Sequence, residues 1–217
     1  MLRIKNVLFA LALLFLIAGC SGSRHFVRLS ENPKSFSAAQ EACIMQGDIL
    51  TPMRVFKTTS YSDSLLLRAK SSDVIVETDD PVLHHFISRL YSTVRDSLSL
   101  GVGIAAPQVG ILKNVIWVQR FDKEGQPFEV YLNPKIIQYS SLKQECREGC
   151  LSIPNRSDTL QTRAYAILIE YERLDKTRHV EMIEDFTAVI FQHEIDHLNG
   201  ILYLDRIDAD LAGAKKE

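Results

Sequence analysis

Apolar residues at helical spacing predict an amphipathic helix near the middle of the chain. The stripe comprises Leu83, Phe86, Ile87, Leu90 and Val94. Acidic residues and an early proline precede it at Asp79, Asp80 and Pro81, as they do at many helix starts. Glycine commonly follows the last turn of a helix, so we expect this helix to end at Gly101.

A second stripe of helical spacing lies nearer the C-terminus. Its members are Phe186, Val189, Ile190 and His193. The stretch from Met182 to Gln192 is therefore expected to be helical, and the pair Asn199-Gly200 supplies a stop signal. Residues 193–197 should then lie on this helix.

Five further segments are expected to form β-strands. They are Val115–Gln119, Phe128–Leu132, Ile136–Tyr139, Ala166–Tyr171 and His179–Ile183. Asp122–Gly125 and Leu174–Lys176 have the composition of hairpin turns between strands. Helices together with hairpin-linked strands predict an α+β fold.

The first twenty residues differ from the rest of the chain. Arg3 and Lys5 precede an apolar run, Val7–Ala18, that is too short for a comfortable transmembrane helix. Small residues then stand just before Cys20, in a pattern similar to the cleavage box of bacterial lipoproteins. We therefore expect Cys20 to become a lipidated N-terminus. A plain signal peptide and an uncleaved anchor are the alternatives.

The composition suits one globular domain. The 217 residues carry a net charge of −2, and 46% of them are hydrophobic. The chain has no excess of basic residues, so its charge does not indicate binding to nucleic acid. We expect a signal peptide at 1–19, a tether at 20–47 with a short helix within Ser37–Met45, a globular domain at 48–208 and a polar tail at 209–217.

The C-terminal helix contains the sequence His193-Glu194-Ile195-Asp196-His197. Histidines four residues apart lie on one face of a helix and can bind one metal ion together. A glutamate beside the first histidine can take a proton from a water at that metal. The motif therefore predicts a metal site, against the alternative of two satisfied histidines on a half-buried helix.

Two histidines need a third protein ligand. Metalloproteases with this motif take it downstream, but the corresponding position holds Tyr203, and Glu217 lies in the polar tail. Upstream, Cys150 in the segment Glu148–Ser152 offers a thiolate, which is an excellent ligand for a divalent metal. Gly149 in the same segment allows close backbone approach.

A small, glycine-rich loop, Gly101–Gly110, contains one amide side chain, that of Gln108. Its glycine spacing loosely fits a dinucleotide-binding fingerprint, which requires a strand before it and a helix after it. Here a helix precedes the loop and Pro107 lies within it, so we exclude that interpretation.

Together these three segments resemble the signatures of the peptide deformylase family. That family has a Gly-x-Gly-apolar-Ala-Ala-x-Gln loop, a Glu-Gly-Cys-Leu-Ser strand and a His-Glu-x-Asp-His helix, and the chain contains all three in the same order. The similarity extends over roughly Asp48–Asp208. It implies a fold in which antiparallel sheets surround a central metal-binding helix.

The resemblance also implies a ligand set and a substrate. Cys150, His193 and His197 would hold one divalent metal ion. Iron(II) would support the activity, and zinc, nickel or cobalt also suit such a site. The substrate would be an N-formyl-methionyl peptide or nascent chain, which is hydrolysed to formate and a peptide with a free amine.

Three residues would carry the chemistry. Glu194 would accept the proton of the attacking water and deliver one to the leaving amine. The side-chain amide of Gln108 and the backbone N–H of Leu151 would donate hydrogen bonds to the tetrahedral oxyanion.

Substrate-binding positions follow from the same resemblance. Gly103 and Ile104 would bond to the extended peptide through their backbones, and Gly149 would leave it room. An apolar pocket would receive the methionine side chain, and the alternative role for each of its residues is ordinary core packing. Its lining would comprise Val102, Cys146, Phe186, Val189 and Ile190.

Other polar residues near the motifs are expected to have structural roles. Glu148 would pair with an arginine, for which Arg163 is the candidate, and Asp196 would face away from the metal. Cys43 and Cys146 could form a disulfide outside the cytoplasm, but pocket lining is the favoured role for Cys146.

An exported deformylase is unexpected, because the family acts on nascent chains. The lipidated protein would lie on the bacterial cell membrane or outer membrane, and would act on exported or environmental formyl peptides or before export is complete. Translation from Met45 would instead give a cytoplasmic enzyme. Two other functions stay open: an envelope lipoprotein that binds formyl peptides or metal without turnover, and a metalloprotease.

Overall fold

The computed structural model of the protein describes residues 34–97 and 100–207. The expectations for the signal peptide, for lipidation at Cys20 and for the tail lie outside these ranges. The helices are α1 (Ala38–Met45), α2 (Tyr61–Leu67), α3 (Pro81–Arg95) and α4 (Asp185–Leu198), with a short 3₁₀ helix at Ala106–Val109. The strands are β1 (Gly103–Ala105), β2 (Val115–Gln119), β3 (Phe128–Tyr139), β4 (Lys143–Cys150), β5 (Ile153–Ala164), β6 (Ala166–Glu172) and β7 (Arg178–Glu184).

Two antiparallel sheets surround helix α4. Strands β1, β2, β3, β6 and β7 form the larger sheet in that order, and β4 and β5 pair as a separate hairpin. Helix α4 contacts all seven of these strands. Most of its residues are buried, including the ligand candidate His197. This arrangement confirms the predicted α+β fold with a central helix.

Helix α3 begins where its sequence indicates. The Asp80 carboxylate caps it by accepting hydrogen bonds from the backbone N–H groups of Val82 (2.8 Å) and Leu83 (3.2 Å). The helix ends at Arg95, however, and not at Gly101, because the backbone turns to an extended conformation at the next residue. Gly101 still satisfies a carbonyl in the last turn of the helix, because its N–H donates to the Val94 carbonyl at 3.2 Å.

Several predicted boundaries are corrected by the pairing of strands. The segments predicted at Phe128–Leu132 and Ile136–Tyr139 are one strand, β3, whose pairing with β6 shifts register on either side of Lys135. Asn133, at a φ of 50°, provides the irregularity. Met182 pairs with Leu168 in the sheet, so the helical stretch does not begin there.

Four elements have no counterpart among the predictions: α2, the 3₁₀ helix, β1 and β5. Strand β4 was anticipated only at its end, by the Glu-Gly-Cys-Leu-Ser strand of the family resemblance. Strand β5 is exposed at most of its positions, so it lacks the alternation of apolar and polar residues that identifies a half-buried strand. Strand β1 lies in the glycine-rich segment that we interpreted as a loop.

The short helix expected in the tether is present as α1 and packs on the domain. The Ser37 side chain caps it by accepting the Gln40 N–H, and the Gln40 side chain in turn accepts the Ser37 N–H at 3.0 Å, which completes a capping box. Ile44 and Phe36 are buried in the same apolar cluster as Phe86. A chain that started at Met45 would lack both core residues. In the described ranges, no helix combines the length and apolar character needed to cross a membrane.

Candidate metal centre and active site

Cys150, His193 and His197 converge at the centre of the fold. Cys150 is the last residue of β4, and the two histidines lie one turn apart on α4. One potential ligand atom from each residue lies within 4.8 Å of the others, and the Cys150 Sγ is 3.2 Å from the His197 Nε2. A thiolate and two imidazoles form a donor set that fits a borderline divalent metal.

A carboxylate orients the first histidine. Glu148 Oε2 lies 2.7 Å from His193 Nδ1, and because a carboxylate only accepts, this ring nitrogen donates. The Nε2 lone pair of His193 is thereby left for a metal, as in many metal sites in which a second group fixes the imidazole tautomer.

The electrostatics of the cluster favour a thiolate. Burial by itself would raise the pKa of the Cys150 thiol, but the neighbouring His197 and His193 lower that pKa well below its usual range. The thiolate is the form of cysteine that binds metals.

Behind the histidines lies a buried charge network. Arg163 donates to both oxygens of Glu148, at 2.6 and 2.9 Å, and to Asp196 at 2.6 Å. Arg206 donates to Asp196 from the other side. The predicted pairing of Glu148 with Arg163 is confirmed. Although burial opposes ionisation, His193 and Arg163 lower the pKa of Glu148 to about 2.

Glu194 is buried beside the cluster and incompletely bonded. Its Oε2 has no hydrogen-bond partner among the described residues. Burial raises the pKa of this carboxyl group to about 7, although His193 and His197 oppose the shift. Gly103 lies directly against it, since a Cβ at that position would be only 2.5 Å from Glu194 Oε1. A buried carboxylate with a free oxygen is suited to exchange a proton with a reactant.

The Gln108 side chain is held in one orientation at the edge of the cluster. Its Oε1 accepts the Ala105 N–H at 2.8 Å, so its NH₂ group must face the other way. That Nε2 donates to the Ser152 hydroxyl at 3.3 Å and lies 3.6 Å from the Cys150 Sγ. The amide thus presents a donor next to the metal ligands.

A cleft of about 330 Å³ opens beside these groups. Six of the predicted substrate-binding residues line it, together with Glu194, Gln108, Cys150 and His193: Val102, Gly103, Gly149, Phe186, Val189 and Ile190. Ile104 and Cys146 do not. The Ile104 side chain is fully buried in the core, and β4 lines the cleft only from Arg147 onward.

The cysteines are free thiols throughout the described ranges. Cys43 is exposed and Cys146 is half-buried, and neither forms a disulfide. The possible pairing of Cys43 with Cys146 is therefore not formed in the structure. With Cys146 outside the cleft lining, its predicted role as a pocket residue is also not supported by the geometry.

Sequence reasoning missed three neighbours of the site. Ser152 is fully buried, and its N–H lies 3.4 Å from the Cys150 Sγ; its place in the Glu-Gly-Cys-Leu-Ser motif was a usable signal. Tyr203, which occupies the position of a protease ligand, instead stacks its ring on His193 with centroids 6.1 Å apart. Lys57 donates to the Leu151 carbonyl, and no local pattern in the sequence indicated this contact.

Comparison with known protein families gives a match over most of the chain. The family model described as polypeptide deformylase matches residues 55–211. The peptide deformylase of Desulforudis audaxviator is 40% identical over 154 residues, which cover 71% of this chain and 94% of the relative. That of Finegoldia magna is 35% identical over 142 residues, or 65% of this chain and 83% of the relative.

Solved structures give the same match. The Met-Ala-Ser-bound class I type b peptide deformylase from Acinetobacter baumannii superposes with a TM-score of 0.64 at 31% identity, covering 72% of this chain and 98% of that one. The peptide deformylase from Thermotoga maritima superposes with a TM-score of 0.62 at 30% identity, covering 71% and 97%.

Proposed function

The chain belongs to the peptide deformylase family and is a metal-dependent hydrolase of N-formyl peptides, and we propose that Cys150, His193 and His197 hold its metal. The observation that carries this proposal is the convergence of these three donors, with Glu148 fixing the tautomer of His193. A divalent metal bound there would supply a Lewis acid and lower the pKa of a coordinated water.

Glu194 is the proton carrier of the proposed reaction. Its unpaired Oε2 is placed to accept a proton from the attacking water and then to return it to the leaving amine. Burial raises the pKa of Glu194, which makes its carboxylate a stronger base for the first transfer.

Gln108 and Leu151 stabilise the developing oxyanion. The fixed orientation of the Gln108 amide turns its Nε2 toward the Cys150 side of the cleft, and Leu151 contributes its backbone N–H from the turn after β4. Donors held in place before reaction need no rearrangement during it, and loss of one such donor typically lowers kcat on the order of 10²–10³-fold.

The formyl peptide binds as an added strand. β1 is an edge strand of the larger sheet, with β2 on only one side, and Gly103 of β1 lines the cleft. An extended peptide can pair with such an edge through its backbone. Its methionine side chain then enters the apolar part of the cleft formed by Val102, Phe186, Val189 and Ile190. The Met-Ala-Ser complex of the Acinetobacter baumannii relative supports a peptide that begins with methionine as the ligand.

Iron(II) is the proposed physiological metal. The mixed thiolate and imidazole donors suit iron(II) as well as zinc, nickel and cobalt. Anaerobic purification of the full chain, metal analysis and formate release with each metal would test this. We expect the iron(II) form to be the most active; an equally active zinc form would contradict the proposal.

A lipid anchor at Cys20 is the proposed location signal, supported by the charged, apolar and small-residue pattern before it. The substrates would then be exported or environmental formyl peptides, or chains still being exported. In a bacterial host, the full chain should sediment with membranes and a Cys20→Ser variant should not. Identical distribution of the two would contradict anchoring.

Formate release from a formyl-Met peptide by the metal-loaded full chain is the direct test of these residue roles. Glu194→Ala should abolish release while retaining bound metal, because it removes the proton carrier and none of the ligands. The exposed Glu124→Ala is the matched control and should behave as wild type. Release by Glu194→Ala at the wild-type rate would overturn the role of Glu194. Intact peptide recovered from the wild-type protein would point instead to binding without turnover.

A further inference from the structure

A short segment outside the three motifs, residues 56–58, bonds to the backbone at both sides of the proposed oxyanion site. The Phe56 N–H donates to the Gln108 carbonyl at 2.7 Å, and the Thr58 N–H donates to the Ser152 carbonyl at 2.9 Å. Between them, the Lys57 ammonium donates to the Leu151 carbonyl. We call residues 56–58 the brace, since they join the 3₁₀ helix that carries Gln108 to the turn that carries Leu151.

The lysine acts on a peptide group that faces the metal centre. The Leu151 carbonyl and the Ser152 N–H belong to the same peptide unit, and that N–H lies 3.4 Å from the Cys150 Sγ. A cation on the carbonyl oxygen polarises the amide and strengthens its N–H as a donor, because hydrogen bonds in a chain reinforce one another. The same contact limits rotation of the turn in which the Leu151 N–H lies.

The brace is itself anchored, so the position of Lys57 is defined. Its backbone N–H donates to Asp63 Oδ2 at 3.0 Å, and Arg54 binds both oxygens of that carboxylate at 2.7 and 3.0 Å. The Phe56 ring lies under the Arg54 guanidinium at 4.1 Å and against Gly110, where a Cβ would come within 2.5 Å of the ring. Few conformations of the segment are compatible with all these contacts.

We propose that Lys57 is a positioning residue of the deformylase: by holding the Leu151 carbonyl, it sets the hydrogen bond from the Ser152 N–H to the Cys150 thiolate and the direction of the Leu151 N–H. This inference rests on the proposed metal ligands and oxyanion donors. Lys57 touches neither the substrate nor the metal, and acts only through the Leu151 carbonyl and the turn to which it belongs.

Lys57→Met is the informative change, because it keeps the aliphatic stem and removes the ammonium. We expect kcat to fall about tenfold or more, since an oxyanion donor is misaligned. KM should stay within about twofold of wild type, because the β1 edge that binds the peptide is on another element. Lys57→Arg should recover most of kcat, since a guanidinium can also donate to the carbonyl.

A spectroscopic readout separates this role from a general structural one. In the cobalt(II)-loaded full chain, the thiolate-to-metal charge-transfer band should move to longer wavelength in Lys57→Met, because a weaker hydrogen bond leaves the sulfur a better electron donor. Lys113→Met is the matched control: that ammonium also donates to a backbone carbonyl, of Asp73 at 3.3 Å, but away from the site. The control should leave both the band and kcat unchanged.

The outcomes decide the proposal. An unshifted band with wild-type kcat in Lys57→Met would overturn it, as would equal shifts in Lys57→Met and Lys113→Met. If Lys57→Met fails to fold, Lys57→Leu, which also lacks a donor, replaces it, and the same two results are decisive. If the wild-type chain releases no formate, the proposed function fails, but the cobalt band still tests the effect of Lys57 on the Cys150 thiolate through the Leu151–Ser152 peptide unit.

Discussion

Two buried arginines, Arg163 beside the metal centre and Arg120 just after β2, are surrounded by carboxylates in a similar way. Arg163 bonds to Glu148 and Asp196, as described above. Arg120 donates to Asp122 at 2.8 and 2.5 Å and to Glu181 at 2.8 and 3.3 Å. The exposed fractions of the two arginines are 4% and 1%, so both charges depend on their partners.

The networks differ in the groups at which they end. In the first network, Glu148 accepts hydrogen bonds from Arg163 and also from the His193 ring. In the second, the last groups are tyrosine hydroxyls: that of Tyr131 lies 2.7 Å from Arg120, and that of Tyr171 lies 3.0 Å from Glu181. Burial of a charge is therefore a poor sign of function in this chain. A functional network is recognised by its last hydrogen bond, which here orients a metal ligand.

The largest expected effect is loss of either arginine. Arg163→Met removes one cation from the buried carboxylates of Glu148 and Asp196, and Arg120→Met removes one from Asp122 and Glu181, which are less buried. Breaking a buried ion pair typically costs about 3–5 kcal/mol of unfolding free energy. Urea unfolding should show the larger loss for Arg163→Met. Formate release per folded, metal-loaded molecule should fall only for Arg163→Met. Equal losses of activity in the two variants would contradict the claim that only the Arg163 network serves the metal centre.

Acid should distinguish the networks next. Glu148 has a folded pKa of about 2 against about 4.3 in unfolded chains, so its stabilisation is complete above the unfolded value and is lost as the pH falls toward about 2. That pKa difference corresponds to about 3 kcal/mol.

Unfolding of the metal-free protein between about pH 6 and about pH 3 measures this contribution. Glu148→Gln should flatten the pH dependence more than Glu181→Gln, because His193 as well as Arg163 lowers the pKa of the Glu148 carboxyl group. Equal flattening would mean that His193 adds nothing to the Glu148 shift.

Metal affinity gives an effect that only one network should show. Glu148→Gln removes the charge that orients His193, and loss of such an outer partner typically weakens metal binding about 10–100-fold. Glu181→Gln should bind metal as tightly as wild type. Competition with a chromophoric chelator measures both affinities. A weakened Glu181→Gln would reveal coupling between the two networks through α4.

The smallest change in stability is expected from loss of the Tyr131 hydroxyl, where the Arg120 network ends. Tyr131 accepts from Arg120 and donates to Glu129 at 2.6 Å, so Tyr131→Phe removes hydrogen bonds worth about 1 kcal/mol while the ions stay paired with one another. Thermal unfolding should detect that loss, and formate release should not change. Reduced turnover in Tyr131→Phe would contradict the purely structural role of this network.

Sequence reasoning found the parts of the site that depend on local spacing. His193 and His197 share a helix face whatever surrounds the helix, and the Asp80 cap depends on residues next to it. The end of α3 at Arg95 was misjudged because Gly101, a usual helix terminator, bonds back to the last turn from further along the chain. The catalytic and binding roles themselves stay predictions until the variants are measured.

Contacts between distant segments could not be predicted from local patterns. Lys57 meets Leu151 across 94 positions in the chain, and Arg163 meets Asp196 across 33. Only the assembled sheets bring such residues together. The pairing of Glu148 with Arg163 was anticipated because Glu148 is not a metal ligand in the resembled family, but the further bond from Glu148 to His193 was not anticipated.

The absence of a side chain at Gly103 restricts how this enzyme can acquire resistance to an inhibitor. A peptide mimic bound along β1 would be excluded most simply by a bulkier residue at that edge. Yet even the methyl group of alanine would come within 2.5 Å of the Glu194 carboxylate and 2.8 Å of the Ile190 side chain. A substitution at Gly103 that excluded the inhibitor would therefore also displace the Glu194 carboxylate. Escape should therefore arise at the rim of the cleft, where Leu100 is exposed and lies outside helix α4.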